Sequence, residues 1–66
     1  MRPTDRYQQA RAHTGLGHAH QTLNHQTLAR KHYQHALALY TDLGMPNADQ
    51  TRAHLATIDN NGREPR

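Results

Sequence analysis

The chain reads as an all-α protein, and three observations point there. Apolar residues recur at intervals of three and four over long stretches, the spacing of one helix face. Those stretches are separated by residues that end helices, Asn24-His25 and Gly44-Met45-Pro46. The 66 residues also contain no Cys, Val, Phe or Trp, which excludes a disulfide scaffold, a Cys-based zinc site and a thiol nucleophile.

The first helix is expected over about residues 5–23. Pro3-Thr4-Asp5 supplies its start, with Thr4 as N-cap and the Asp5 carboxylate favourable against the positive end of the helix dipole. Tyr7, Ala10, Ala12, Leu16, Ala19 and Leu23 recur roughly at helical spacing. Gly15 and Gly17 each cost about 1 kcal/mol relative to Ala in a helix interior. They either weaken the helix or mark close packing. Asn24 is the natural break, since Asn tolerates the left-handed conformation of a helix end.

The second helix is expected over about residues 26–43. Leu28, Ala29, Tyr33, Ala36, Leu37, Tyr40 and Leu43 form one apolar stripe along it. Gly44 fits the residue just past the end, and Pro46 forbids continuation. Asn47-Ala48-Asp49-Gln50 then has the form of a cap followed by Gln at the third position. It opens a third, capping helix over about residues 47–59, with Ala48, Thr51, Leu55 and Ile58 on one side. Asn60-Asn61-Gly62 is turn chemistry. The expected organisation is an N-terminal tail at residues 1–4, one helical unit at 5–59 and a disordered tail at 60–66.

Two long helices joined by about two residues must lie antiparallel, as a hairpin. Here the residues become recognisable. With Ala10 as first position, Leu16-Gly17, Ala19, Ala29, Tyr33 and Ala36 follow in the order and spacing of a 34-residue helical repeat. Residues 10–43 thus resemble a tetratricopeptide repeat (TPR). His13 stands where that family prefers Trp, His20 where it prefers Tyr, and Thr41 at the terminal Pro position. The strings Gly15-Leu16-Gly17-x-Ala19-His20 and Ala36-Leu37-Ala38-Leu39-Tyr40-Thr41-Asp42-Leu43-Gly44, with Pro46-x-Ala48-Asp49, look like the C-terminal repeats of bacterial antibiotic-regulatory-protein type activators and related STAND-class NTPase regulators. The DNA-binding and NTPase segments of such regulators have no counterpart here, for no G-x-x-x-x-G-K-[ST] loop is present.

The resemblance implies a non-catalytic protein–protein interaction module, a terminal repeat of a bacterial regulatory protein with its capping helix. It implies that Arg11, Thr14, His18, Gln21 and Thr22 of the first helix line a groove. That polar face, with one fixed positive charge, suits an extended or acidic segment of a protein or peptide partner. It also places His13 and His20 against the second helix near Tyr33 and Ala36, and leaves His18, His32, His35 and His54 more exposed. Repeats bury their apolar faces by stacking. Tyr7, Leu55 and Ile58 are expected to stay partly exposed in a lone copy, so self-association or stacking on a neighbouring repeat is expected.

Other function classes fare less well. The longest uninterrupted apolar run, Ala36 to Tyr40, spans no membrane, and no secretory segment follows Met1, so a cytoplasmic location is expected. Ser is absent and the acids Asp5, Asp42, Asp49, Asp59 and Glu64 are scattered, so no enzyme and no cofactor are expected. The net charge of +3 is largely terminal, at Arg2, Arg6, Arg63 and Arg66, and forms no dense basic stripe. Nucleic-acid binding through Gln26, Arg30 and Lys31 is the alternative reading. A lesser one is metal binding by the seven histidines, of which His32 and His35 share a helix face while His18 and His20 diverge. No acid lies close to His32 and His35 at helical spacing, and no metal site is expected.

Overall fold

Each of three consecutive segments satisfies its backbone hydrogen bonds as a helix. The computed structural model describes residues 3–62. Helix α1 runs Pro3–Thr22, α2 Gln26–Leu43 and α3 Asn47–Gly62. The fold is all-α, an α1–α2 hairpin with α3 laid against α2, as the apolar spacing predicts.

The helix ends carry the turn chemistry. Gly44 takes the left-handed conformation at φ 68°, and its N–H donates to the Thr41 carbonyl at 3.0 Å. The next N–H, of Met45, reaches back to the Tyr40 carbonyl at 3.0 Å. This pair of bonds closes a Schellman motif, completed by the packing of Met45 onto the cluster containing Tyr40. The end of α1 repeats it. Asn24 sits at φ 66°, its N–H donating to Gln21 and that of His25 to His20, at 3.0 and 2.8 Å. Both connections are therefore tight, and the helices they join run antiparallel.

Cross-helix pairs give the register. Arg6 forms an ion pair with Asp42, the Tyr7 ring meets Tyr40 at 6.4 Å, and Gly17 lies beneath Tyr33. On the other side of α2, Ala48 joins Ala36 and Tyr40, while Ile58 joins Ala29 and Tyr33. Arg30 and Asp59 clasp the far end at 2.7 Å. Helix α2 is thus the central element, and its Ala29, Tyr33, Ala36 and Tyr40 are buried.

Several boundaries differ from expectation. Thr4 does not cap α1, because the helix already begins at Pro3, whose fixed φ suits the first helical position. Asn47 is likewise the first residue of α3 and not a cap outside it; Ala48 and Asp49 donate to the Met45 and Pro46 carbonyls, starting the turn earlier. Helix α3 passes residue 59 and continues to Gly62, since Asn-Asn-Gly permits a turn but, unlike Pro, forbids no helix. The expected disorder of residues 63–66 lies outside the described residues, as do the Arg2, Arg63 and Arg66 charges.

The apolar residues of α1 divide between its two sides, and His13 and His20 lie toward α2 as the repeat register implies. Leu16 is 44% exposed and Leu23 63%, and Ala12 and Ala19 are exposed as well. The seam to α2 is filled by Ala10 and Gly17, flanked by His13 and His20. Leu28 of the α2 stripe also faces outward, at 44% exposure. Ile58, expected to be partly exposed, is 1% exposed because α3 packs it against Ala29 and Tyr33.

Candidate functional site

Tyr33 organises the surface on which the expected groove residues lie. A Cβ built on Gly17 would stand 2.8 Å from Tyr33 Cε1 and 2.9 Å from Cδ1 and Cζ, so the ring rests on bare α1 backbone. Its hydroxyl donates to Gln21 Oε1 at 3.0 Å. With that proton committed, His18 Nδ1–H is the donor in the 2.8 Å contact with the phenol oxygen. Burial raises the Tyr33 pKa above its ordinary value, which keeps the hydroxyl protonated. From α3, His54 stacks on the Tyr33 ring at 5.2 Å and meets His18 edge-on at 4.8 Å.

These contacts sort the five expected groove residues. Arg11 is exposed, its guanidinium 5.9 Å from the centre of the Tyr7 ring. His18 is exposed but held by Tyr33 and His54. Gln21 is half-buried and committed to the Tyr33 hydroxyl. The Thr14 and Thr22 hydroxyls donate to the Ala10 and His18 carbonyls, at 2.9 and 3.0 Å, within their own helix. Helical spacing puts all five on the α3 side of α1, but only Arg11 carries free fixed charge toward a ligand. A surface hollow lies elsewhere, lined by Arg6, Gln9, Ala38, Leu39, Thr41 and Asp42.

A second feature is a run of imidazoles on the opposite side of Tyr33. His20 lies parallel to His32, with ring centres 5.3 Å apart and planes 2° apart. His32 in turn stacks on His13 at 5.4 Å, with their Nδ1 atoms 3.1 Å apart, and His13 meets His35 edge-on at 4.9 Å. His25 adds to the His20 end at 5.8 Å. His18 and His20, two residues apart, thus part to opposite sides of the seam. His32, expected to be exposed, is half-buried among these rings; burial first, and then His13, His20, His35 and Lys31, push its pKa down. His54, also expected to be exposed, is half-buried, and burial followed by His18 lowers its pKa.

Parallel rings direct their nitrogens side by side, whereas a metal needs them aimed at one point. Among the described residues no three His, Asp or Glu side chains are placed to hold a metal ion. The His20 Nδ1 is buried without a hydrogen-bond partner there. Arg30, one of the candidate nucleic-acid contacts, is turned to Asp59 and has its Nε buried. No described helix is long and apolar enough to cross a membrane.

Sequence spacing found the α2 stripe and the His32–His35 face. It missed His54 against His18 and His13 against His32, because these pairs are distant in the chain and meet only through tertiary packing. The chain matches no family model, no curated protein and no solved structure.

Proposed function

We infer that the chain is a non-catalytic helical protein–protein interaction module of the tetratricopeptide kind, a terminal repeat unit of a bacterial, cytoplasmic regulatory protein. The observation that carries the reading is the Gly17–Tyr33 contact. The glycine of the repeat pattern lies beneath its aromatic residue, at a separation that no Cβ would allow. The capping helix adds support, since α3 lies along the exposed edge of the hairpin and brings His54 beside the α1 face.

The groove between α1 and α3 would take an extended, acidic protein segment, with Arg11 as its charged contact and His18 and Thr22 at its edge. Thr14 shapes this wall, its hydroxyl proton already donated to Ala10, while Gln21 is fixed by its Oε1 on the Tyr33 hydroxyl and keeps its Nε2 amide for the ligand. Fluorescence anisotropy with a labelled oligoglutamate peptide tests the reading. Binding should weaken at least tenfold in Arg11→Gln with helicity unchanged, and should fall with added salt, since an exposed ion contact is screened. Equal binding by the parent and Arg11→Gln would remove the groove from consideration.

A further inference from the structure

The structure leaves one face of the hairpin uncovered, the side away from α3. On α1, Leu16 and Leu23 lie roughly half a turn from His18, the residue that meets α3. On α2, Leu28 and His35 lie roughly half a turn from Arg30, which also meets α3. The exposed large hydrophobic residues among the described ones, Leu16, Leu23 and Leu28, therefore share this face. The histidine stack forms its floor. On α1 the formal charges of this face lie at the end with Asp5 and the Arg6–Asp42 pair. On α2 the exposed Lys31, beside Leu28 and His35, marks its outer edge. The stretch around Leu16 and Leu23 is thus free of charge, as befits an interface core.

The geometry points to a second copy of this chain as the occupant, docked face to face about a two-fold axis. Three observations select that partner. First, the α1 stripe is complementary to itself: in an antiparallel pairing centred between Gly17 and His18, each Leu16 meets the other copy's Ala19 and each Leu23 its Ala12. Large residues thus fall on small ones, which lets the helices approach closely. Secondly, head-to-tail stacking is poorly matched, because the outer side of α3 sets only the small Ala53 and Ala56 among exposed Asp49, Arg52, Thr57 and Asn60. A contact that uses the same face on both copies closes at two. Thirdly, the size is adequate. The 18 residues of α2 rise about 27 Å, and two helices about 10 Å wide give a footprint of roughly 540 Å². Counted on both copies this is roughly 1,080 Å², which clears the about 1,000 Å² needed for a biological interface and lies at the low end of the range.

This contact goes beyond the proposed groove, which lies on the other side of α1, so either can fail alone. Sedimentation equilibrium of the full chain at pH 7.5, from micromolar to submillimolar concentration, is the test. The parent should reach a two-chain species and stop there. Leu16→Asp and, separately, Leu23→Asp should weaken association at least tenfold at unchanged helicity, since neither side chain is buried in the monomer. Ala53→Asp, on the exposed side of α3, should associate like the parent. A parent that stays monomeric across the range overturns the inference, as does growth beyond two chains. So does a dimer that survives both leucine changes.

Discussion

Replacing Gly17 with Ala should destabilise the protein, against the general rule for glycine in a helix. That rule favours Ala by about 0.8–1 kcal/mol in a helix interior. Here the added methyl group would overlap three Tyr33 ring atoms at 2.8–2.9 Å. The ring has little freedom to retreat, being fully buried with its hydroxyl bonded to Gln21 and His18. Overpacking of this kind costs about 1–3 kcal/mol, and loosening each hydroxyl bond about 0.5–1.5 more. The net expectation, after the propensity gain is subtracted, is a loss of about 1–5 kcal/mol. Gly15 is the internal control, since a Cβ there meets nothing within 4 Å, and Gly15→Ala should gain close to the full propensity term of about 1 kcal/mol. Two glycines two residues apart, on opposite sides of α1, should therefore give opposite signs. Total stability for a chain of this size is on the order of 3–10 kcal/mol, so the gap is large. Urea unfolding followed by circular dichroism reads it directly, with equal slopes required for the comparison. If Gly17→Ala stabilises as much as Gly15→Ala, the ring does not rest on α1, and the hairpin register is wrong.

The remaining expectations follow from the helix ends and the charged groups. Asn24→Gly should stabilise by up to about 1 kcal/mol, whereas Gly44→Ala should lose about 1–2, because both positions are left-handed and only Gly avoids the Cβ penalty; thermal melts decide it. The depressed pKa values of His32 and His54 mean that the unfolded chain binds more protons in acid. Stability should be fullest above the unfolded value of about 6.5 and decline as pH falls through it toward the folded values. Comparing urea midpoints at pH 7.5 and 5.5 checks the sign, and His32→Gln with His54→Gln should flatten the difference. Duplex DNA should bind weakly at moderate salt, and Arg30→Ala should act on stability more than on DNA, since Arg30 is engaged with Asp59. A steep salt dependence of DNA affinity that is lost with Arg30→Ala would reverse the functional ranking.

Helix α2 was legible because every residue it buries belongs to its apolar stripe, of which only Leu28 faces outward. Ala29, Tyr33, Ala36 and Tyr40 repeat at three and four, and all are covered from both sides. The helix ends were legible for a local reason too: Gly44 and Asn24 are residue types that tolerate positive φ, and both adopt it. Starts were harder. A capping residue can lie one position inside or outside the helix with little change in local energy, so Thr4 misplaced the start of α1, and Asn47, expected as a cap, is instead the first residue of α3. The candidate site was legible only as a list of polar positions on one side of α1. Which of them stay free depends on Tyr33 and His54, and contacts across 12 to 36 positions leave no periodic trace.

Helix α1 shows why periodicity alone does not select an inward face. Its most apolar stripe is Ala12, Leu16, Ala19 and Leu23, and a reading that ranks faces by hydrophobicity turns that stripe to the core. The structure instead buries Ala10 and Gly17 between half-buried His13 and His20. Tyr33 is the reason. A full-sized aromatic ring from α2, anchored through its hydroxyl, fits against α1 only where a glycine removes the side chain, and Gly17 is the residue that does so. Rotating α1 to bury Leu16 and Leu23 would set side chains against that ring and leave the Tyr33 hydroxyl without Gln21 and His18. An unsatisfied buried hydroxyl alone costs about 1–3 kcal/mol, as much as burying a further leucine contributes, about 1.5–3 kcal/mol. The packing optimum within one chain therefore leaves the leucines outside, and their burial is available only to a neighbour.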